Sequence, residues 1–356
     1  MRRLKNIILI LSIIGINSCS DEAVINNYSP ATINLNIPQV FSERILDPVI
    51  PSNNPLTIEG IALGKKLFYD TKLSSDNTQT CASCHSPQLA FTDDTPTSDG
   101  VQGIFGIRNS MPLFNLAWNY DNRFFWDGVA LSLENQALEP VNNPIELHSN
   151  WTEVADKLQA DTEYPQLFQA AFGTSSIDST LVTKAIAQFE RTLISANSKF
   201  DRYLLGQEQL TAQELDGLNA FMSEERGDCF HCHGSPNNPL WTDNIFHNNG
   251  LDSSFSDLGL GAVTGNPADN GKFKTPSLRN LIYTAPYMHD GRFQTIDDVI
   301  NFYSEGLQNS STIDPLMKNI NQGGAQLTAE DKASLKAFLL TLTDESFINN
   351  PDYLPE

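Results

Sequence analysis

Cys81-Ala82-Ser83-Cys84-His85 and Cys229-Phe230-His231-Cys232-His233 decide how this chain is read. Both are C-x-x-C-H, the attachment signature of a c-type haem. The spacing has a chemical reason. Two thiols reach the two vinyl groups of one porphyrin, and the adjacent His offers an imidazole to the iron. A thioredoxin-like redox pair would need a βαβ context, which the sequence lacks. Zinc would need four ligands per site, and no second Cys pair lies near either motif. The count also closes. The chain has five Cys, four of them in the motifs and one at Cys19, so none is left for a disulfide.

Working outward, 356 residues are enough for two domains, and 40% apolar with 18% charged residues is a globular composition. Lys and Arg number 22 against 43 Asp and Glu, a net charge of −21. That balance argues against nucleic-acid binding and favours basic protein partners. The N-terminus reads Met1-Arg2-Arg3-Leu4-Lys5, then an apolar run from Ile7 to Ile16, then Asn17-Ser18-Cys19. The run is too short to span a bilayer and suits a signal peptide. A small residue before Cys19 matches a bacterial lipoprotein signal, in which Cys19 carries the lipid. The expectation is an exported body, periplasm-facing, held at the membrane only through that lipid. Cleavage after Ser18 would leave 19 basic and 43 acidic residues, a charge of −24.

The periodicity is helical. Ile177, Leu181, Val182, Ala185, Ile186, Phe189 and Leu193 form an apolar stripe, and capping boxes at Thr211/Glu214, Thr295/Asp298 and Thr328/Asp331 open further helices. Gly64-Lys65-Lys66-Leu67-Phe68 before Cys81 is echoed by Gly217-Leu218-Asn219-Ala220-Phe221 before Cys229. The expected fold is mainly α: two cytochrome c-like haem domains with long irregular loops. The division is a signal peptide at 1–18, a linker at 19–55, an N-terminal domain at 56–205, a C-terminal domain at 206–345 and a tail at 346–356.

Phe125-Trp126-Asp127-Gly128, Gln136, Pro140, Glu146, Leu278-Arg279-Asn280 and Ala285-Pro286-Tyr287-Met288-His289-Asp290-Gly291 together resemble the bacterial di-haem cytochrome c peroxidases and MauG. The resemblance runs over roughly residues 56–345. It implies that the haem on His85 is peroxidatic, with Gln136, Pro140 and Glu146 in its distal pocket and Trp126 between the two haems. Splitting peroxide needs a group that takes a proton from one oxygen and gives it to the other, and Glu146 is the candidate. The haem on His233 would pass electrons. Classical members place a Met ligand fourteen residues after the His of the P-Y-x-H motif. Here that position is Tyr303, as in MauG, with Met288 as the alternative ligand. The family also binds Ca²⁺, at positions matching the Asn109 side chain and the Thr284 and Pro286 carbonyls.

Two departures matter. No His occurs between Ser86 and Ser110, so the His that closes the peroxidatic iron at rest in many members is missing. The surface Trp two residues before the second motif of MauG is replaced by Gly227. His148 and His247 are read as surface or hydrogen-bonded residues, and His289 as a neighbour of the second haem. Three readings compete. The first is a peroxidase that reduces hydrogen peroxide with electrons from a small cytochrome c or cupredoxin. The second is a MauG-like oxidase acting on a protein or small substrate. The third is a non-catalytic electron carrier.

Overall fold

The computed structural model describes residues 28–355. In chain order the helices are α1 (Gln39–Ser42), α2 (Ile58–Phe68), α3 (Cys81–Cys84), α4 (Leu133–Asn142), α5 (Trp151–Gln159), α6 (Tyr164–Phe172) and α7 (Ser179–Glu190). They continue with α8 (Lys199–Leu204), α9 (Ala212–Met222), α10 (Phe230–His233), α11 (Leu260–Thr264), α12 (Ile296–Asn301), α13 (Ala329–Leu340) and α14 (Glu345–Ile348). The named strands among the described residues are β1 (Phe246–His247) and β2 (Phe273–Lys274), paired antiparallel. The chain is mainly α with long irregular connections, as its periodicity indicated. Among the described residues no helix is long and apolar enough to cross a membrane.

The echo around Gly64 and Gly217 is a real structural repeat. In the first half α2 packs on α7, and in the second α9 packs on α13. A Cβ on Gly64 would collide with the Ala185 carbonyl, and one on Gly217 with the Ser334 carbonyl. Only glycine lets the two backbones approach so closely. Four residues on, Phe68 meets Phe189 edge-on at 5.4 Å, and Phe221 meets Phe338 at 5.2 Å. The second elements of both pairs start on side-chain caps, Asp178 for α7 and Thr328 for α13.

Two large apolar cores follow. One gathers Leu63, Leu67, Phe68, Phe91, Val182, Ile186, Phe189 and Leu193. The other gathers Phe200, Phe221, Trp241, Ile300, Leu335 and Phe338. The change of core falls between Leu193 and Phe200, ahead of the boundary expected near residue 205. The segment expected as a linker is packed where it is described. Val40 and Phe41 are fully buried with Ala117, Trp118 and Leu240, because they are the apolar residues of a short turn facing both halves. The expected tail is packed too. Phe347 and Ile348 lie in the first core, with Phe347 5.7 Å from both Phe91 and Phe114. The C-terminus thus closes the N-terminal half.

One buried ion pair ties these parts together. Arg279, fully buried, donates from Nη1 and Nη2 to the Asp201 carboxylate at 2.8 and 2.6 Å. Its Nε donates to the Pro239 carbonyl at 2.7 Å, and its guanidinium lies 5.4 Å from the Phe41 ring centroid. Burial alone would raise the Asp201 carboxyl, but Arg279 outweighs it and holds the group below the ordinary carboxylate value. A depressed carboxyl contributes stability above its unfolded value, about 4, which is lost as pH falls through the folded value. Asp201→Asn should therefore cost about 3–5 kcal/mol by leaving a buried guanidinium unpaired. Denaturant melts at pH 7 measure that cost, and the variant should show less loss of stability than wild type as pH falls below about 4.

Candidate haem-binding site

Each C-x-x-C-H segment forms one helical turn. The His85 N–H bonds to the Cys81 carbonyl at 3.0 Å, and the His233 N–H to the Cys229 carbonyl at 3.1 Å. Each turn sets two sulfurs and an imidazole close together. None of these four Cys is in a disulfide. Burial pushes Cys84 up to about 11 and Cys229 and Cys232 to about 12, with Cys81 raised as well.

The imidazoles are prepared differently. His85 Nδ1 lies 2.8 Å from the Phe91 carbonyl, so Nδ1 carries the proton and Nε2 keeps its lone pair. His233 Nδ1 is buried and makes no hydrogen bond, although the Pro276 carbonyl lies near enough to favour its protonation weakly. Burial pushes His233 down to about 4 and lowers His85 too, so both are neutral at pH 7, as ligands must be.

A cavity of about 420 Å³ opens beside the first motif. Cys84, His85, Trp126, Gln136, Glu146, Lys274 and several apolar side chains, among them Leu113, Phe114 and Leu133, line it. Gln136 Oε1 is buried without a partner. Glu146 accepts a hydrogen bond from Asn143 Nδ2 at 2.7 Å, and burial raises its carboxyl above the ordinary value. Apolar walls, a neutral imidazole, the Cys84 thiol and an unpartnered amide oxygen fit a covalent haem with room for a small polar molecule beside it. Trp126 is buried in the same wall, and its Nε1 donates to the Asn109 carbonyl at 2.8 Å. The Asn109 N–H in turn donates to the His289 carbonyl at 2.7 Å, so Trp126, Asn109 and His289 form one chain of contacts.

The repeat extends here beyond what the sequence showed. Phe125 and Met288 both have positive φ, 67° and 73°, and so do Gly128 and Gly291. Phe124 bridges Ala130 just as Tyr287 bridges Phe293. Trp126 and His289 therefore occupy the same place in two matching turns. Ser132 then caps α4 and Thr295 caps α12. Fourteen residues after Trp126 stands Pro140, and fourteen after His289 stands Tyr303. Proline offers iron no side-chain donor; tyrosine does. The same scaffold position carries proline in one half and a phenol in the other.

Tyr303 sits in a π-helical turn, Phe302–Gly306, that continues α12. Such turns are wider than an α-helix and recur at functional sites. Its hydroxyl accepts from Asn249 Nδ2 at 3.0 Å and is near enough to Cys232 and Cys229 to feel their charge. Burial raises the phenol to about 12, against the pull of Asn249. Met288 Sδ lies 3.7 Å from the same Asn249 Nδ2, so both ligand candidates face one corner.

Several residues here had no sequence signal. Asn249 is one. Glu190 is another: it is buried on α7, its Oε2 has no partner, and burial pushes its carboxyl up to about 8. Arg108 pairs with Asp127 at 2.5 Å and Asp257 at 2.7 Å and lies over Phe273, which stacks on His289 at 3.6 Å. His247 bonds to Asp243 at 2.9 Å and Asp314 at 2.6 Å, and those carboxylates outweigh burial and raise it. His148 is exposed. Cys19 lies outside the described residues.

Comparison with known proteins agrees with this architecture. Residues 58–209 match the di-haem cytochrome c peroxidase family. The chain is 37% identical to the methylamine utilization protein MauG of Methylorubrum extorquens, over 83% of this chain and 81% of that one. It is 35% identical to the cytochrome c peroxidase Ccp of Escherichia coli, over 82% of this chain and 60% of the relative. Among solved structures, a MauG-like protein associated with microbial copper homeostasis superposes with a TM-score of 0.81 at 35% identity, covering 90% of this chain and 99% of the other. The diheme peroxidase BthA of Burkholderia thailandensis shares the fold, with a TM-score of 0.73 at 24% identity over 86% of this chain and 91% of the other. With a paired thiol–imidazole turn in each half and relatives of this identity along most of its length, the chain belongs to the family of di-haem cytochrome c peroxidases and MauG proteins, whose cofactors are c-type haems.

Proposed function

We propose that this protein reduces hydrogen peroxide to water at the cavity beside His85, with electrons entering from a small donor protein through the site at His233. The observation that carries the reading is the cavity itself. Glu146 and the unpartnered Gln136 share its wall with His85, and Pro140 stands where the other half has Tyr303. Cys81, Cys84 and His85 would hold one haem, and Cys229, Cys232, His233 and Tyr303 the other. A haem held there would supply an iron able to bind peroxide and pass electrons to it. Glu146 would take the proton from one peroxide oxygen and return it to the other as that one departs. Gln136 orients the peroxide through its amide. Two electrons and two further protons complete two waters. Trp126, buried on the first of the matching turns, would relay electrons.

The surroundings extend the reading. A net charge of −21 suits a basic donor. Among the described residues no group of three or more His, Cys, Asp or Glu side chains is placed to hold a metal ion. A Ca²⁺ here would rest on neutral oxygens, which suits that ion. The Asn109 side-chain oxygen and the Thr284 and Pro286 carbonyls accept no hydrogen bond among the described residues. Export, with a lipid on Cys19, belongs to the same reading. Cys19→Ala should leave the protein out of the detergent phase on Triton X-114 partitioning; a variant that partitions like wild type would remove the anchor.

Tyr303 favours a second reading, a MauG-like oxidase that uses peroxide-derived oxidising equivalents on another substrate. A phenolate is a hard anionic ligand, so it stabilises ferric iron and lowers the potential relative to a thioether. Tyr303→Met should raise the potential of the second haem in a redox titration and give it a Met-type absorption band. No change in either would reduce Tyr303 to packing.

Stopped-flow mixing with peroxide tests the first reading directly. Glu146→Gln should retain both haems and slow the reaction by about 10²–10⁴. In wild type the rate should fall on acidification, because only the carboxylate acts as base. Burial has raised that carboxyl, so the fall begins at higher pH than an exposed glutamate would give. The Gln variant should lack this limb. An unchanged rate would remove Glu146 from the mechanism.

A further inference from the structure

Lys274 is a buried cation that nothing in the peroxide reading uses. It lies on β2, is 5% exposed, and lines the same cavity as His85 and Glu146. Its backbone N–H is held by the Trp126 carbonyl at 2.9 Å, so its place on the wall is set by the turn that carries Trp126. Nζ donates to the Asn244 carbonyl at 2.6 Å and reaches Asn119 Oδ1 at 3.4 Å, and it stands 5.3 Å from the Phe246 ring centroid. All of these are neutral. Among the described residues no carboxylate oxygen lies within 4.0 Å of it, whereas buried Arg279 and Arg191 both have one. Asp121 and Asp243 act on it only from a distance, and Arg123 opposes them.

A buried ammonium without a counter-charge costs several kcal/mol in general, and proteins pair such charges or let them go neutral. Burial indeed lowers this one to about 8, which still leaves it largely protonated at pH 7. The missing partner should be an anion that enters the cavity. The geometry points to a porphyrin propionate: we propose that Lys274, with Asn119 beside it, binds a propionate of the haem attached at Cys81 and Cys84. A c-type porphyrin carries two propionates on the edge away from its thioether-linked vinyls. Lys274 makes its hydrogen bonds to Asn244 and Asn119 and none to the Cys81–His85 segment, which leaves it available to that edge. It thereby couples the charge of that haem to the backbone of Trp126.

This inference rests on the haem reading, and the test separates the two. Intact mass of wild-type holoprotein reports whether two haems are covalently bound; fewer would overturn the haem reading itself. Lys274→Met and Lys274→Arg are then compared by resonance Raman in the propionate-bending region and by redox titration. The Met variant should retain both haems, shift the propionate band and lower the midpoint potential of the first haem, since a lost positive charge favours the ferric form. The Arg variant should keep both signals close to wild type. If the Met variant is not recovered with both haems, Lys274→Gln, which keeps an N–H for the Asn244 carbonyl, is read in the same way. An unchanged band and potential would overturn the proposal, as would a shift confined to the haem on His233. A free carboxylate is the other source of such an anion. Added acetate that perturbs the wild-type spectrum but not the Met variant, with the propionate band unmoved, would assign Lys274 to a diffusible ligand and overturn the propionate.

Discussion

Two helix crossings without room for a side chain hold this protein in shape. Gly64 lies on the backbone of α7, and Gly217 on the backbone of α13. A single Cβ at either place would force the helices apart. Everything downstream is measured from those contacts. Phe68 and Phe221 are delivered to equivalent aromatic clusters. In the second half the helix hands over at once, because the Cys229 N–H bonds to the Phe221 carbonyl at 3.1 Å. In the first half a longer connection intervenes, and α14 from the C-terminus fills the extra space.

On this repeated frame the chemistry is made unequal by few residues. The matching turns carry Trp126 in one half and His289 in the other, and the following helices carry Pro140 and Tyr303. Proline, inside α4, removes a possible ligand and a backbone donor. Tyrosine, on a widened turn, points a hydroxyl toward the second thiol pair. In the reading proposed here, one half binds a small molecule and the other relays charge. The two turns touch through Asn109, so the halves are coupled by hydrogen bonds no longer than 2.8 Å.

Charge is nearly balanced inside and strongly acidic over the whole chain. Lys and Arg number 22 against 43 Asp and Glu, whereas the buried ionic groups are Arg191, Lys274 and Arg279 beside Asp93, Glu190, Asp201 and Asp344. Arg279 and Arg191 meet a carboxylate, and Arg279 also joins the segment around Phe41 to the second half. Glu190 is a buried carboxyl whose desolvation favours the neutral form. Burial gives these few groups more energetic weight than the many on the surface.

By itself the sequence determined the helical class, the two C-x-x-C-H motifs and the Gly64/Gly217 echo, while the set from Trp126 to Glu146 came only through the family resemblance. These are legible because they are local: a helical period, a cap, or a motif whose five residues share one turn. The tertiary structure alone decided the rest. That Phe41 and Phe347 are core rather than linker and tail depends on partners more than sixty residues away. That Trp126 matches His289, and Pro140 matches Tyr303, shows only in backbone dihedrals, since the side chains differ. Asn249, Glu190 and Lys274 carry no signal in sequence, because an amide, a carboxyl or an ammonium acquires its role only when distant segments bury it. Hydrogen-bond geometry and desolvation arise between segments that the order of residues does not bring together.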